Sequence, residues 1–150
     1  MKQCSLVYAF ADRDMPRRPT IDTLLKRIKA TPQDAALYQQ LGSRYLEKGL
    51  REEAKSALDR SLELEPSDPW THLYLGNWHY RIDNREAVKC FKRATLLLPD
   101  DAIGFVCLGD AYAALGFDAL ATENYRHALD MAPDDKIAKR NWQRWLKTAG

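Results

Sequence analysis

The sequence predicts an all-α solenoid, in which antiparallel pairs of helices stack one after another. Three observations lead to this prediction: a proline recurs every 33 or 34 residues, an aspartate follows each proline two residues later, and the same apolar pattern returns between them. The prolines are Pro32, Pro66, Pro99 and Pro133, and the aspartates are Asp34, Asp68, Asp101 and Asp135. A period of this length is typical of stacked helical repeats. We therefore expect one domain of three repeats over residues 34–135.

Each repeat carries a large residue, a Leu-Gly pair and a second large residue, followed by an alanine and an apolar residue four positions on. The three units read Tyr38-x-x-Leu41-Gly42-x-x-Tyr45 with Ala54-x-x-x-Leu58, His72-x-x-Leu75-Gly76-x-x-His79 with Ala87-x-x-x-Phe91, and Phe105-x-x-Leu108-Gly109-x-x-Tyr112 with Ala121-x-x-x-Tyr125. This pattern resembles the tetratricopeptide repeat, a helix–turn–helix unit of 34 residues. The resemblance implies a right-handed superhelix whose concave groove holds a peptide or a partner helix.

The repeated glycines and aspartates have physical explanations that do not depend on the family. A glycine inside a helix costs about 1 kcal/mol relative to alanine, so its return in three helices indicates that a second helix crosses too closely for a side chain. The aspartates are expected to cap helices, because a carboxylate accepts hydrogen bonds from the amides of the first turn. Pro66, Pro99 and Pro133 are expected to end the preceding helices.

The chain divides into an N-terminal part, three repeats and a C-terminal helix. We expect residues 1–19 to be a loose arm or a degenerate helix, and residues 20–33 to contain a helix that packs on the first repeat. The repeats fall at about 35–68, 69–101 and 102–135. Residues 136–150 are predicted to form a capping helix with an apolar side and a basic side, because a solenoid needs a polar outer face at its end. The apolar side would comprise Ile137, Trp142, Trp145 and Leu146.

The second repeat is one residue shorter than the others, and the missing residue falls in the turn between its two helices. Gly49 and Gly116 occupy this turn in the first and third repeats. In the second repeat Asp83-Asn84 takes their place, and asparagine tolerates left-handed backbone angles. We therefore expect an altered local turn within the same fold.

Composition indicates a reduced, cytoplasmic protein without an active site. Three cysteines are an odd number, and they form no C-x-x-C pair. The net charge of +2 combines basic ends, +4 over residues 1–30 and +3 over 134–150, with an acidic middle of −5, which disfavours an extended nucleic-acid surface. No catalytic, phosphate-binding or dinucleotide motif occurs, and no cofactor is expected. His72 and His79 could share a metal, but core packing is the favoured interpretation. We expect no membrane insertion.

The resemblance places the groove on a second face of each repeat's first helix. The predicted groove residues are Gln39 and Ser43 in the first repeat, Trp70, Leu73, Asn77 and Tyr80 in the second, Ile103, Val106 and Asp110 in the third, and Arg140 and Arg144 in the capping helix. Trp70 and Tyr80 could instead pack between neighbouring repeats. Aromatic side chains with a few charges are typical binding anchors.

Some tetratricopeptide proteins bind the C-terminal carboxylate of a chaperone through lysines, asparagines and an arginine. Asn77 matches the central asparagine of that clamp, but Gln39, Ser43, Val106 and Asp110 replace the other members. An aspartate there would repel a carboxylate, so this specificity is not expected.

Two functions follow from these observations. The first is a non-catalytic adaptor or scaffold that holds a partner segment in the groove, with Trp70, Leu73, Tyr80 and Val106 as the apolar anchor. Asn77 would bond the partner backbone. The alternative is self-assembly, either through residues 6–11 of one chain in the groove of another, or through end-to-end contact of the stacks.

Overall fold

The computed structural model of the protein describes residues 18–149, and within that range it contains eight α-helices and no strand. The helices are α1 Ile21–Ala30, α2 Ala35–Glu47, α3 Arg51–Leu64, α4 Pro69–His79, α5 Asn84–Leu97, α6 Ala102–Ala114, α7 Asp118–Met131 and α8 Lys136–Ala149. The predicted all-α class is confirmed. The N-terminal arm or degenerate helix was predicted for residues 1–19. Residues 1–17 lie outside the described range.

The helices pack as a right-handed solenoid of antiparallel pairs. Helix α2 pairs with α3, α4 with α5, and α6 with α7, and each pair contacts the next through α3 with α4 and α5 with α6. Helix α1 packs on α2 at one end, while α8 packs on both α6 and α7 at the other. Contacts of α2 with α4 and of α4 with α6 place the first helices of the three pairs side by side in one layer.

The repeated aspartates begin the helices as predicted. Asp34 accepts a hydrogen bond from the amide of Ala36 at 3.0 Å, and Asp101 accepts one from Ile103 at the same distance. Asp68 caps α4 and Asp135 caps α8 in the same way. Each carboxylate satisfies amides that have no partner within the helix and lies at the positive end of the helix dipole.

The three mid-helix glycines lie where the two helices of a pair cross. A Cβ atom placed on Gly42 would lie 2.6 Å from Cδ2 of Leu58, and one on Gly109 would lie 2.7 Å from a ring carbon of Tyr125. On Gly76 it would overlap the ring of Phe91. Each opposing side chain stands four residues after the buried alanine of its repeat. The predicted close crossing is therefore confirmed in all three pairs.

The turn of the second repeat differs from the sequence prediction. Gly49 and Gly116 have φ angles of 74° and 75°, as their turns require. In the second repeat the left-handed residue is Arg81, with φ of 68°, and not Asn84. The Asn84 side chain instead accepts a hydrogen bond from the Arg81 amide at 2.7 Å, and Asp83 caps α5. The Asn84 side chain therefore stabilises the unfavourable backbone angle at Arg81, while Asp83 begins the next helix.

The apolar interior consists of two clusters. The larger runs from Leu46 through all three repeats to Ile137 and Ala138 of α8. The smaller lies between α1 and the first repeat, with Leu24 and Ala57 among its members. Between the first and second repeats, the Ser61 hydroxyl bonds the Thr71 hydroxyl at 2.9 Å in the interior.

Helix α8 covers the third repeat through polar as well as apolar contacts. The indole of Trp145 donates to Thr122 Oγ1 at 2.9 Å. Asp110 of α6, which is 2% exposed, accepts from the Tyr125 hydroxyl at 2.6 Å and pairs with Arg144 of α8 at 3.1 Å. Leu146 is 53% exposed, so its predicted place on the covered side is wrong. Asn141, which the apolar pattern did not include, is buried on that side instead.

Across residues 18–149, none of the helices combines the length and the apolar character that crossing a membrane requires.

Replacing Gly42 by alanine should destabilise the protein by about 1–3 kcal/mol, because overpacking a tight contact outweighs the gain in helix propensity. Urea denaturation measures the change. In a Leu58→Ala background the clashing Cδ2 is absent, so the same substitution should cost less. Equal costs in the two backgrounds would show that the helix crossing does not require glycine.

Replacing Asp110 by alanine should lower the free energy of unfolding by about 3 kcal/mol, since it removes the buried carboxylate that pairs with Arg144 and leaves the Tyr125 hydroxyl without this acceptor. Asp110→Asn retains an acceptor and should be milder. Asp59 is the matched control, because it pairs with Lys55 at the surface and Asp59→Ala should cost less than about 0.5 kcal/mol. If urea denaturation gave Asp110→Ala and Asp59→Ala the same small effect, the structural role of Asp110 would be excluded.

Candidate peptide-binding groove

The candidate groove is formed by the inner layer of first helices, α2, α4 and α6, and is bounded by α8. All three first helices carry the Leu-Gly pair toward their own second helix, which leaves another face of each for the inner surface. The groove residues predicted in the three repeats were assigned to this face, whereas Arg140 and Arg144 belong to α8. The structure divides the whole set by burial.

The second repeat contributes a polar residue, Asn77, that stands between two aromatic residues along α4 and its C-cap. Asn77 is 7% exposed. Trp70 and Tyr80 are half-buried and pack against the main core cluster, so each ring has both a packed and an accessible part. The contact with the core cluster agrees with packing between repeats, and groove lining by these two residues stays a prediction.

The aliphatic residues predicted to line the groove lie beneath the surface. Leu73 and Val106 are each 1% exposed, and Ile103 is 5% exposed. They belong to the core cluster and support the groove from below. The sequence pattern could not separate these residues from Trp70, because the distinction depends on how neighbouring first helices approach one another.

Two of the three charged residues predicted at the far end, Asp110 and Arg144, pair with each other. Arg144 bonds Asp110, and Tyr125 donates to the same carboxylate oxygen. Burial raises the pKa of the Tyr125 hydroxyl, and the adjacent Asp110 charge raises it further. The phenol therefore stays protonated and acts as a donor. Asp110 serves the attachment of α8, while Arg140 is exposed on the same helix.

The first repeat contributes a polar cluster that sequence reasoning missed in part. Ser43 is buried and Gln39 is half-buried. Tyr74 of α4 lies close to Ser43, and a hydrogen bond with the Ser43 hydroxyl lowers the pKa of Tyr74. Burial has the larger effect and raises the pKa of Tyr74 overall. Tyr74 stands four residues after Trp70 and three before Asn77, a helical spacing that could have identified it.

Arg44, next to Ser43, was also missed. Its guanidinium donates to the carbonyl oxygens of Arg18 and Pro19 at 2.9 and 3.0 Å, and to Glu47 at 2.9 Å. An arginine can serve several acceptors at once because its donors form a rigid fork. Nothing local in the sequence indicates that the two carbonyls, 25 and 26 residues away, would be its acceptors.

The two histidines that the sequence offered as possible metal ligands have other contacts. His72 donates through Nε2 to the Pro66 carbonyl at 2.9 Å, and His79 stacks edge-on against Trp78. Among residues 18–149 no group of three or more histidine, cysteine or acidic side chains could hold a metal ion.

Comparison with known proteins gives one family match and several similar structures. The family model described as tetratricopeptide repeat matches residues 35–68, which comprise α2 and α3 and the connection to α4. No curated protein sequence is significantly similar to the chain.

The similar structures share the fold at low sequence identity. The crystal structure of MamA has a TM-score of 0.72 at 24% identity and covers 87% of this chain and 77% of that one. The first TPR of Spaghetti (RPAP3), bound to the HSP90 peptide SRMEEVD, has a TM-score of 0.70 at 19% identity over 78% of this chain and 94% of that one. The Arabidopsis OM64 TPR domain has a TM-score of 0.68 at 18% identity over 75% and 94%.

The family match covers the first repeat, and the next two helix pairs reproduce its caps and its glycine crossing. The chain thus matches the tetratricopeptide-repeat model over residues 35–68 and shares its fold with these solved structures.

Proposed function

We propose that the protein is a non-catalytic adaptor whose groove binds an extended or helical segment of a partner protein. The observation that supports this most directly is the second repeat, where the half-buried aromatic residues Trp70 and Tyr80 flank Asn77 along α4 and its C-cap. An amide side chain can donate to and accept from a peptide backbone, and aromatic rings provide contact area at low entropic cost. The peptide-bound RPAP3 structure has the same fold.

The role proposed for each groove residue follows from how deeply its side chain is buried. Trp70 and Tyr80 would contact the partner's apolar side chains, and Asn77 would bond its backbone. Leu73 and Val106 hold these groups in place from the core and would contact the partner little. Because Arg144 already bonds Asp110, the described part of the groove offers no unopposed cluster of basic residues for a terminal carboxylate. We therefore propose recognition of an internal segment.

Leu73 is unsuitable for testing the groove by charge substitution. Its side chain is 1% exposed, so Leu73→Glu would bury an unpaired carboxylate and unfold the chain. Asn77→Ala removes the polar group without placing a charge in the interior.

A peptide library selected on the full-length protein provides ligands for the test. We expect selected peptides to bind the Asn77→Ala variant at least ~10-fold more weakly, which corresponds to about 1.4 kcal/mol. Fluorescence anisotropy with labelled peptides measures the affinities. Asn124→Ala is the matched control, because Asn124 lies on the outer helix α7 and its side chain donates within that helix, to the Leu120 carbonyl at 2.8 Å. Peptides that bind the Asn77 and Asn124 variants equally well would argue against the groove as the binding site.

Self-assembly by end-to-end stacking is the second candidate, and exposed leucines at both ends of the solenoid favour it. Leu25 of α1 is 39% exposed, and Leu146 of α8 is 53% exposed. Such residues could meet when α8 of one copy packs on α1 of the next, a head-to-tail contact.

Light scattering at increasing protein concentration tests this candidate. If stacking occurs, the mass should rise with concentration, and Leu146→Glu should abolish the rise. Leu96→Glu is the control, since Leu96 is 74% exposed but lies on α5 in the middle of the stack. A mass equal to the monomer at all concentrations would exclude stacking.

A further inference from the structure

The described chain begins at the edge of the groove. Two donors of the Arg44 guanidinium hold the Arg18 and Pro19 carbonyls, and the Arg18 side chain pairs with Glu47 at 2.6 Å. Arg44 and Glu47 belong to the last turn of α2, a first helix of the inner layer. Residue 18 is therefore tied by both its backbone and its side chain.

The position of Arg18 is shared between the first two repeats. Its charge lowers the pKa of the Tyr74 hydroxyl, as the neighbouring Ser43 hydroxyl does, although burial dominates and raises it. Ser43 is a groove residue of α2, and Tyr74 lies on α4 beside Leu73. Arg18 is thus held against the last turn of α2, close enough to α4 for its charge to act on Tyr74, and residues 1–17 are joined to the domain at this point.

Seventeen residues are long enough to follow the whole groove. An extended chain of this length spans up to about 55 Å, and a helix about 25 Å. Packed helices lie 8–10 Å apart, so crossing from α2 past α4 and α6 to α8 needs roughly 30 Å. An extended or partly helical segment reaches every groove residue from its attachment at Arg18.

The chemistry of the segment matches that of the groove. Residues 6–11, Leu-Val-Tyr-Ala-Phe-Ala, carry apolar side chains of the kind that the half-buried rings of Trp70 and Tyr80 can contact. Residues 1–17 contain three basic and two acidic residues, so their net charge is small. The groove's buried carboxylate, Asp110, is paired with Arg144. Long-range repulsion therefore does not oppose docking.

We propose that residues 1–17 occupy the groove of their own chain, so that a partner must displace them to bind. This inference rests on the proposed function, since it assigns a regulator to the same site. The tie at Arg18 makes docking intramolecular, with an effective concentration in the mM range. A partner's apparent affinity is reduced in proportion to the fraction of chains whose groove is open.

The test compares the full-length protein with a full-length variant whose segment is weakened, Val7→Asp with Phe10→Asp. The probe is a fluorescein-labelled synthetic peptide of residues 5–17, and anisotropy measures its affinity. We expect the variant to bind the probe at least ~10-fold more tightly than the unmodified protein, because its own segment no longer competes for the groove. If circular dichroism shows that the aspartates disturb the fold, Val7→Ser with Phe10→Ser gives the same comparison with a milder change.

The matched control is Ile82→Asp with Leu96→Asp, which makes two apolar-to-acidic changes at side chains that are 56% and 74% exposed. This control should bind the probe as weakly as the unmodified protein. The proposal would be overturned if the unmodified protein and the Val7→Asp with Phe10→Asp variant bound the probe equally well, or if neither bound it.

Light scattering separates docking within one chain from docking between two. The unmodified protein should be a monomer at concentrations below those that promote stacking. A dimer that Val7→Asp with Phe10→Asp dissociates would overturn the intramolecular arrangement.

Library peptides keep the two proposals apart. If library peptides bind the unmodified protein and the Val7→Asp with Phe10→Asp variant equally well but bind the Asn77→Ala variant more weakly, occupancy of the groove by residues 1–17 is refuted. The adaptor function then stands. If library peptides bind the Asn77→Ala variant as tightly as the unmodified protein, the adaptor function itself is contradicted.

Discussion

The close crossing of the two helices in each repeat is the contact on which the rest of the structure depends. Gly42, Gly76 and Gly109 allow Leu58, Phe91 and Tyr125 to lie directly against a helix backbone. Because each pair is drawn together on this side, the other side of the first helix faces away from its partner. The inner layer of first helices, and hence the groove, results from repeating one contact three times.

The third repeat combines this contact with the attachment of the final helix. Tyr125 packs its ring against Gly109 and donates its hydroxyl to Asp110, the next residue in the chain after that glycine. Arg144 of α8 bonds the same carboxylate. One tyrosine therefore connects the helix crossing to the end of the solenoid, and groove shape at that end depends on the same side chain.

Much of the fold could be predicted because it depends on short-range patterns. Helix caps such as Asp34, and the crossing at Gly109, follow from spacing within one repeat. Other features depend on neighbours that are distant in sequence. The burial of Leu73, the exposure of Leu146 and the clamp of Arg44 on residues 18 and 19 result from how whole helices pack. The left-handed angle was expected at Asp83-Asn84, because asparagine tolerates such angles. It lies at Arg81 instead, and the Asn84 side chain stabilises it by accepting a hydrogen bond from the Arg81 amide.

The division of the interior into two clusters has a consequence for the order in which the protein loses structure. The smaller cluster, around Leu24 and Leu41, holds α1 to the first repeat, whereas the larger one is continuous from Leu46 to α8. In a stack where each unit contacts only its neighbours, the end with the smaller core opens at the lowest free energy. Amide protons of α1 should therefore exchange with solvent before those of α6, and fraying would begin beside the point where the chain meets the groove.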